Sequence, residues 1–199
     1  GAKIRKAIIA GSRDNYLVSC DYSQIDLRVL AHLSGDKHLI SAFKQGLDIH
    51  RATAALIYGV EEKEISSEMR DRAKRVNFGI VYGLTAYGLA RDLGVGFEEA
   101  QSFIDAYFTR YPGVKEYIEK QIKLAQKQGF VTTILGRRRY IPEISSRNQG
   151  VRQFAERQAV NTPIQGSSSD LIKLAMISID QELKKKKLGS RMVLQIHDE

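Results

Sequence analysis

With 199 residues, 43% of them hydrophobic and 27% charged, the chain is long enough to bury a real core and has the composition of a soluble globular protein. No apolar run nears the ~20 residues of a membrane span, and no charged-then-apolar leader precedes "GAKIRKAIIAG". The single Cys20 excludes an internal disulfide and suits a reducing compartment, while the net charge of +8 predicts an anionic partner, nucleic acid first.

In chain order, "NYLVSCDYS" (15–23) reads as a buried strand entered from a turn at Asp14-Asn15, with Cys20 as a small buried residue within it. "QIDLRVLAHLSG" (24–35) has apolar residues at helical spacing and stops at Gly35. Residues 50–58 form a second helix broken by Gly59, and Ser66 or Ser67 caps the next one. Thr85 caps a short helix over 86–93. "FEEAQSFIDAYFTRY" (97–111) is amphipathic, Pro112 opens a helix that Gly129 ends, and 130–144 is a hairpin turning at Gly136. A helix through 151–160 is expected to stop near Pro163, and another runs from about Ser168 to Lys187. Its lysine run, 184–187, is read as a solvated helix end. "RMVLQIHDE" (191–199) is a second apolar strand. Two strands at opposite ends of the chain enclosing a helical middle predict an α+β fold with two lobes.

Asp21 and Asp198 each end one of these apolar strands. A carboxylate there is costly unless paired or bound to a cation, and two together repel. A hard divalent cation such as Mg²⁺ removes the repulsion, and two ions about 4 Å apart suit in-line phosphoryl transfer. The alternative is that either aspartate only caps a turn or a helix.

"RDRAKRVNFGIVYG" (70–83) holds the second constellation. Steps of four residues place Arg70, Lys74, Phe78 and Tyr82 along one helical face about 120° wide. The two cations lie near the helix N-terminus, where anions are favoured, so a triphosphate fits there. Phe78 then offers a surface for a sugar or base, and Tyr82 can stack and still present a hydroxyl. The competing reading makes Phe78 and Tyr82 core residues and pairs Arg70 with a nearby acid.

These stretches resemble the DNA polymerases of family A. "DYSQIDLRVLAHLSGD" is similar to motif A, "RDRAKRVNFGIVYG" to motif B, and "VLQIHDE" to motif C. "GRRRYIPEI" and "AERQAVNTPIQGSSSDLIKLAM" match the pattern between B and C, so the resemblance covers essentially the whole chain. It implies an antiparallel palm sheet, with palm at 1–49 and 148–199, and a mostly helical fingers insertion at 50–147 whose motif B helix spans about 67–83. It implies DNA synthesis from dNTPs on a primer-template, by a monomer in the cytoplasm of a bacterial or phage-infected cell, an organelle being the alternative. Two Mg²⁺ ions are the implied cofactors, with Mn²⁺ as a substitute.

Residue by residue, the resemblance makes Asp21, the carbonyl of Tyr22, Asp198 and Glu199 metal ligands. Arg70 and Lys74 contact the triphosphate, and Lys74 also gives a proton to pyrophosphate. His50 and Gln24 lie near the β- and γ-phosphates, Phe78 under the sugar, and Tyr82 beside the templating position. Arg157, Asn161, Gln165 and His197 contact the primer-template. Position 26 departs from the pattern: the family usually carries glutamate there, blocking a ribose 2′-hydroxyl, and this chain has Asp26. The family's thumb and exonuclease domains are expected to lie outside this stretch. Two competing readings are a phage-type single-subunit RNA polymerase, opposed by "YSQID" and Phe78, and a non-catalytic nucleic-acid-binding fragment.

Overall fold

The computed structural model describes residues 6–12 and 14–199. Its helices follow the caps written into the sequence. Helix α1 (Ile25–Ser34) ends at Gly35, and α2 (Lys37–Lys44) begins where Asp36 accepts a hydrogen bond from the Leu39 amide. Helix α3 (Ile49–Tyr58) is capped by Asp48 and closed by Gly59. Helix α4 (Ser67–Val81) is capped by Ser66, which accepts from the Met69 amide at 3.2 Å. Thr85 caps α5 (Ala86–Leu93), α6 spans Phe97–Arg110, and Pro112 opens α7 (Pro112–Gln128), which Gly129 ends in the left-handed conformation. Then come β1 (Phe130–Thr132), β2 (Arg138–Tyr140) and one long helix, α8 (Gln149–Lys185).

The main core joins α1 to α4 and α6 to α8 through Leu27, Leu30, Ile49, Val76, Tyr107, Val114 and Ile164. Asp36 also accepts from the Gly113 amide at 2.9 Å, tying the starts of α2 and α7 together. A smaller cluster of Ala125, Val131, Ile141, Ile144, Ala155 and Ala159 seats the hairpin between α7 and α8. There the backbones approach closely: a Cβ on Gly166 would sit 2.6 Å from Thr133 Cγ2. Arg137 locks the same contact, donating to the buried Asp170 carboxylate at 2.9–3.0 Å and to the Gly166 carbonyl at 3.1 Å. Burial pushes the Asp170 carboxyl up. Hydrogen bonds from Thr133 and Arg137, with the cationic charge of Arg137 and Lys173, outweigh it and hold the group below its ordinary value.

Three expectations are overturned. The segments 15–23 and 191–199 are not strands; among the described residues the sheet is the β1–β2 antiparallel hairpin, with Val131 opposite Arg139. A strand needs a neighbour along its length, and these two segments share one rung, Tyr22 N–H to the Asp198 carbonyl at 3.1 Å. Their side chains are accordingly open: Tyr16 and Val18 are 88% and 83% exposed, and Cys20 is exposed rather than buried. The fold described is thus mostly helical with a small two-stranded antiparallel sheet.

Third, Pro163 does not divide two helices but lies inside α8. Proline forfeits one backbone bond there, a cost near 3 kcal/mol in an isolated helix. Burial on both sides of it (Ala159, Val160, Ile164, Ser167 and Ser168) offsets that cost by packing. The Ser167 hydroxyl bonds the Pro163 carbonyl. No helix among the described residues is long and apolar enough to cross a membrane.

Candidate active site

The row Arg70, Lys74, Phe78 and Tyr82 lies on and just past α4, and the competing reading of it holds in part. Arg70 has its acid: Nε donates to Asp48 Oδ2 at 2.7 Å, while Asp48 Oδ1 accepts the amides of His50 and Arg51 at the start of α3. Burial pushes the Asp48 carboxyl up, but the Arg70 hydrogen bond, the Arg51 amide and the Arg70 charge hold it below its ordinary value. One helix cap therefore orients the cation of another helix. Lys74 is exposed and makes no ion pair among the described residues.

Phe78 and Tyr82 are half-buried, with ring centroids 5.9 Å apart and planes at 25°; His50 adds a third ring 5.8 Å from Phe78. His50 is buried, and burial is the main reason its pKa falls from 6.5 to about 4, the cations of Arg70 and Lys74 adding to the fall while Asp48 opposes it. Its Nδ1 lies 2.9 Å from Asn77 Nδ2, and Asn77 Oδ1 in turn accepts from Thr53 Oγ1 at 3.0 Å. With the amide donating, Nδ1 is an acceptor and Nε2 carries the proton of a neutral ring.

This burial has a measurable consequence. Folded His50 protonates only near pH 4, whereas its ordinary value is 6.5, so between them the unfolded chain binds the extra proton. Stability therefore falls as pH drops from about 6.5 to about 4, by up to about 3 kcal/mol. Urea midpoints across that window should decline for the parent chain and decline less for His50→Gln. Equal slopes would mean that His50 titrates normally.

The C-terminal end of α4 meets α1 and α8. Tyr82 Oη donates to Asp26 Oδ2 at 3.0 Å, and Ser168 Oγ donates to Asp26 Oδ1 at 2.6 Å. Asp26 is 3% exposed, in the first turn of α1, where the helix dipole favours a carboxylate. Gln165 hydrogen-bonds the same phenol, whose pKa is pushed up to about 12, first by burial, then by the charge of Asp26, with Asp198 adding to it. Asn161 Nδ2 reaches the Tyr82 carbonyl at 3.4 Å. Arg157 packs its methylenes on Gly83, where a Cβ would come within 2.9 Å of Arg157 Cγ and φ is +71°. Arg157, Asn161, Gln165 and Ser168 thus form one stripe of α8 against the end of α4.

The carboxylate pair rests on different ground from that expected. Asp21 is exposed and Asp198 half-buried, so burial at strand ends does not force them together. The two segments that carry them are joined by one backbone bond, Tyr22 N–H to the Asp198 carbonyl, and by a bond from the Ser19 hydroxyl to the Glu199 carboxylate. His197 Nδ1 lies 3.1 Å from Asp198 Oδ1, on a residue with φ of 56°. Gln24 has φ of 57° at the start of α1, and its Oε1 is buried with no hydrogen-bond partner among the described residues. Each of these left-handed residues costs of order 1–3 kcal/mol, and both flank the pair. Among the described residues no three His, Cys, Asp or Glu side chains cluster for a metal. The residues expected to hold a metal are nonetheless all oxygen donors: two aspartates, the Tyr22 carbonyl and Glu199. That chemistry fits a hard divalent cation that draws its other ligands from water and phosphate.

Asp48, Asn77 and Ser168 were not singled out from the sequence. The signal for Asp48 was its place just before a helix start; Asn77 and Ser168 carry no local signal.

The sequence profile of DNA polymerase family A matches residues 1–199. The chain is 52% identical over 200 residues to DNA polymerase I of Lactococcus lactis subsp. lactis (strain IL1403), and 52% identical over 199 residues to that of Geobacillus stearothermophilus. Each alignment covers 100% of this chain and 23% of the relative, so the chain spans about a quarter of these relatives' length. The structure of the POL domain of Pol1 from M. smegmatis, in complex with DNA primer-template and dNTP, superposes with a TM-score of 0.86 at 48% identity. That match covers 89% of this chain and 31% of the other. The chain belongs to DNA polymerase family A.

Proposed function

We propose that this chain is the catalytic part of a template-directed DNA polymerase, which joins a dNTP to a primer 3′-hydroxyl and releases pyrophosphate. The observation that carries the reading is the junction at Tyr82, where Asp26, Gln165 and the charge of Asp198 meet one phenol. It draws together motifs far apart in sequence around the end of the basic-aromatic helix. The relatives' name and the DNA and dNTP held by the M. smegmatis structure support it. In this reading 1–49 and 148–199 are palm and 50–147 fingers.

The chain's own residues divide the task. Arg70, oriented by Asp48, offers its remaining N–H groups to a phosphate, and Lys74 supplies an exposed ammonium one turn on. Neutral His50, with Nδ1 taken by Asn77, offers an Nε2–H donor to the β-phosphate, and Gln24 lies on the γ-phosphate side. Phe78 holds the sugar, and Tyr82 stands at the templating position until the helix moves. Arg157, Asn161 and Gln165 face the minor groove, whose acceptors are common to correct pairs, and His197 lies near the primer terminus. Asp21, Asp198, the Tyr22 carbonyl and Glu199 would hold two Mg²⁺ or Mn²⁺ ions. Bound there, such ions supply activation of the 3′-hydroxyl and neutralisation of charge on the leaving oxygen.

Extension of a primed template in a full-length frame carrying this chain tests the reading, with dNTPs and rNTPs in parallel. Extension with dNTPs and Mg²⁺ supports it. Extension with rNTPs alone would favour an RNA polymerase, and salt-sensitive duplex binding without extension a binding module. Asp26→Glu restores a methylene to the wall against the ribose. It is expected to raise the dNTP-over-rNTP preference by about tenfold at most, the lower end of what one methylene discriminates. An equal preference in single-nucleotide kinetics would remove Asp26 from that wall.

A further inference from the structure

We propose that Ser168 is a positioning residue for sugar selection, acting through Asp26; this rests on the polymerase reading above. Asp26 is a carboxylate buried among three elements, and each of its oxygens has its own hydroxyl donor. Oδ2 takes the Tyr82 phenol at 3.0 Å, and Oδ1 takes the Ser168 hydroxyl at 2.6 Å, within the range of a charge-assisted O–H···O⁻ bond. Ser168 is itself buried, 6% exposed, on a turn of α8 whose Ile164 carbonyl lies 3.1 Å from the same Oγ. That carbonyl is the hydroxyl's other acceptor within the helix, so the Asp26 bond is a choice between two partners.

The consequence follows from side-chain length. A side chain as short as aspartate's has two rotatable bonds, and a second, independent anchor removes the remaining freedom of its carboxylate plane. Tyr82 alone cannot do this, since it is a single donor on one oxygen. It also belongs to the end of α4, the element whose movement the reading requires. Ser168 sits on α8, between the buried Ile164 and Asp170, and holds Asp26 from a fixed side. When Tyr82 leaves, Ser168 is the donor that keeps the carboxylate in place. Without that hydroxyl, Oδ1 becomes a buried acceptor with no partner, and the carboxylate turns away to find one.

The test compares the parent chain with Ser168→Ala, Ser168→Thr and Ser168→Ala/Asp26→Glu, all in the full-length frame. Single-nucleotide incorporation is measured for matched dNTP and rNTP. Ser168→Ala is expected to lower the dNTP-over-rNTP ratio of kcat/KM about fivefold, equal to about 1 kcal/mol, chiefly through a lower KM for the ribonucleotide. Ser168→Thr, which keeps the hydroxyl, should stay near the parent ratio. Ser168→Ala/Asp26→Glu should recover it, because the longer side chain reaches the wall without the anchor. A merely structural role would shift both sugars alike, and an unchanged ratio in Ser168→Ala overturns the proposal. Failure of the polymerase reading is distinguishable, since the parent protein itself would then incorporate no dNTP. A thermal-unfolding cycle with Asp26→Asn checks the contact without activity. The Tm shifts of the two single variants should exceed that of the double variant when summed, and strict additivity would also overturn it.

Discussion

Replacing Lys74 by alanine is expected to lower kcat/KM for nucleotide incorporation by about 10²–10³-fold while leaving duplex binding intact. The two cations of α4 are not equivalent. Arg70 already spends Nε on Asp48, whereas Lys74 is exposed and makes no ion pair among the described residues. In the proposed reading Lys74 is thus the group able to follow charge as it builds on the leaving pyrophosphate. An ammonium can surrender its proton at that moment; a guanidinium cannot. Lys74→Arg should therefore recover much of KM and little of kcat, a split that single-turnover kinetics resolves. An alanine variant that incorporates nucleotide normally would refute this role for the helix.

Asp198→Asn carries the second large effect: a fall in kcat of about 10³-fold, several kcal/mol of transition-state stabilisation. The substitution keeps the shape of the side chain and removes one negative charge. Asp21→Asn should behave alike, and the double variant should lose little more, because in the proposed reading the two carboxylates serve as one unit. A readout free of catalysis is available as well. The charge of Asp198 helps raise the Tyr82 phenol to about 12, so removing it should bring that phenol's titration to lower pH in ultraviolet absorbance. Normal extension by Asp198→Asn, with normal duplex binding, would exclude the carboxylate from the chemistry.

Local signals were the readable ones. Capping residues Ser66 and Thr85, the stops at Gly35, Gly59 and Gly129, and Pro112 at a helix start each act within a few residues, and each stands where the sequence put it. The four-residue spacing of Arg70, Lys74, Phe78 and Tyr82 likewise reports one helical face directly. What the sequence could not convey depended on distant partners. The apolar segments 15–23 and 191–199 read as strands, yet strand formation is a property of a pair, and these pair at a single rung. Pro163 reads as a breaker until the packing around it is known. Asp48 and Ser168 are ordinary polar residues in sequence; only the fold brings them to Arg70 and Asp26, 22 and 142 positions away.

The 37-residue α8 is a rod about 55 Å long, with its single weakest rung at Pro163. Gln165 and Ser168 lie just beyond that rung, and the lysine end at 184–185 lies about 33 Å from it. A bend of only about 5° at Pro163 would carry the lysine end through about 3 Å. The same bend would move Ser168, about 8 Å beyond Pro163, by less than about 1 Å, so its bond to Asp26 would be kept. With Pro163 as the hinge, the outer half of the helix would act as a lever arm, turning a small adjustment there into a larger movement at a distant charged tip.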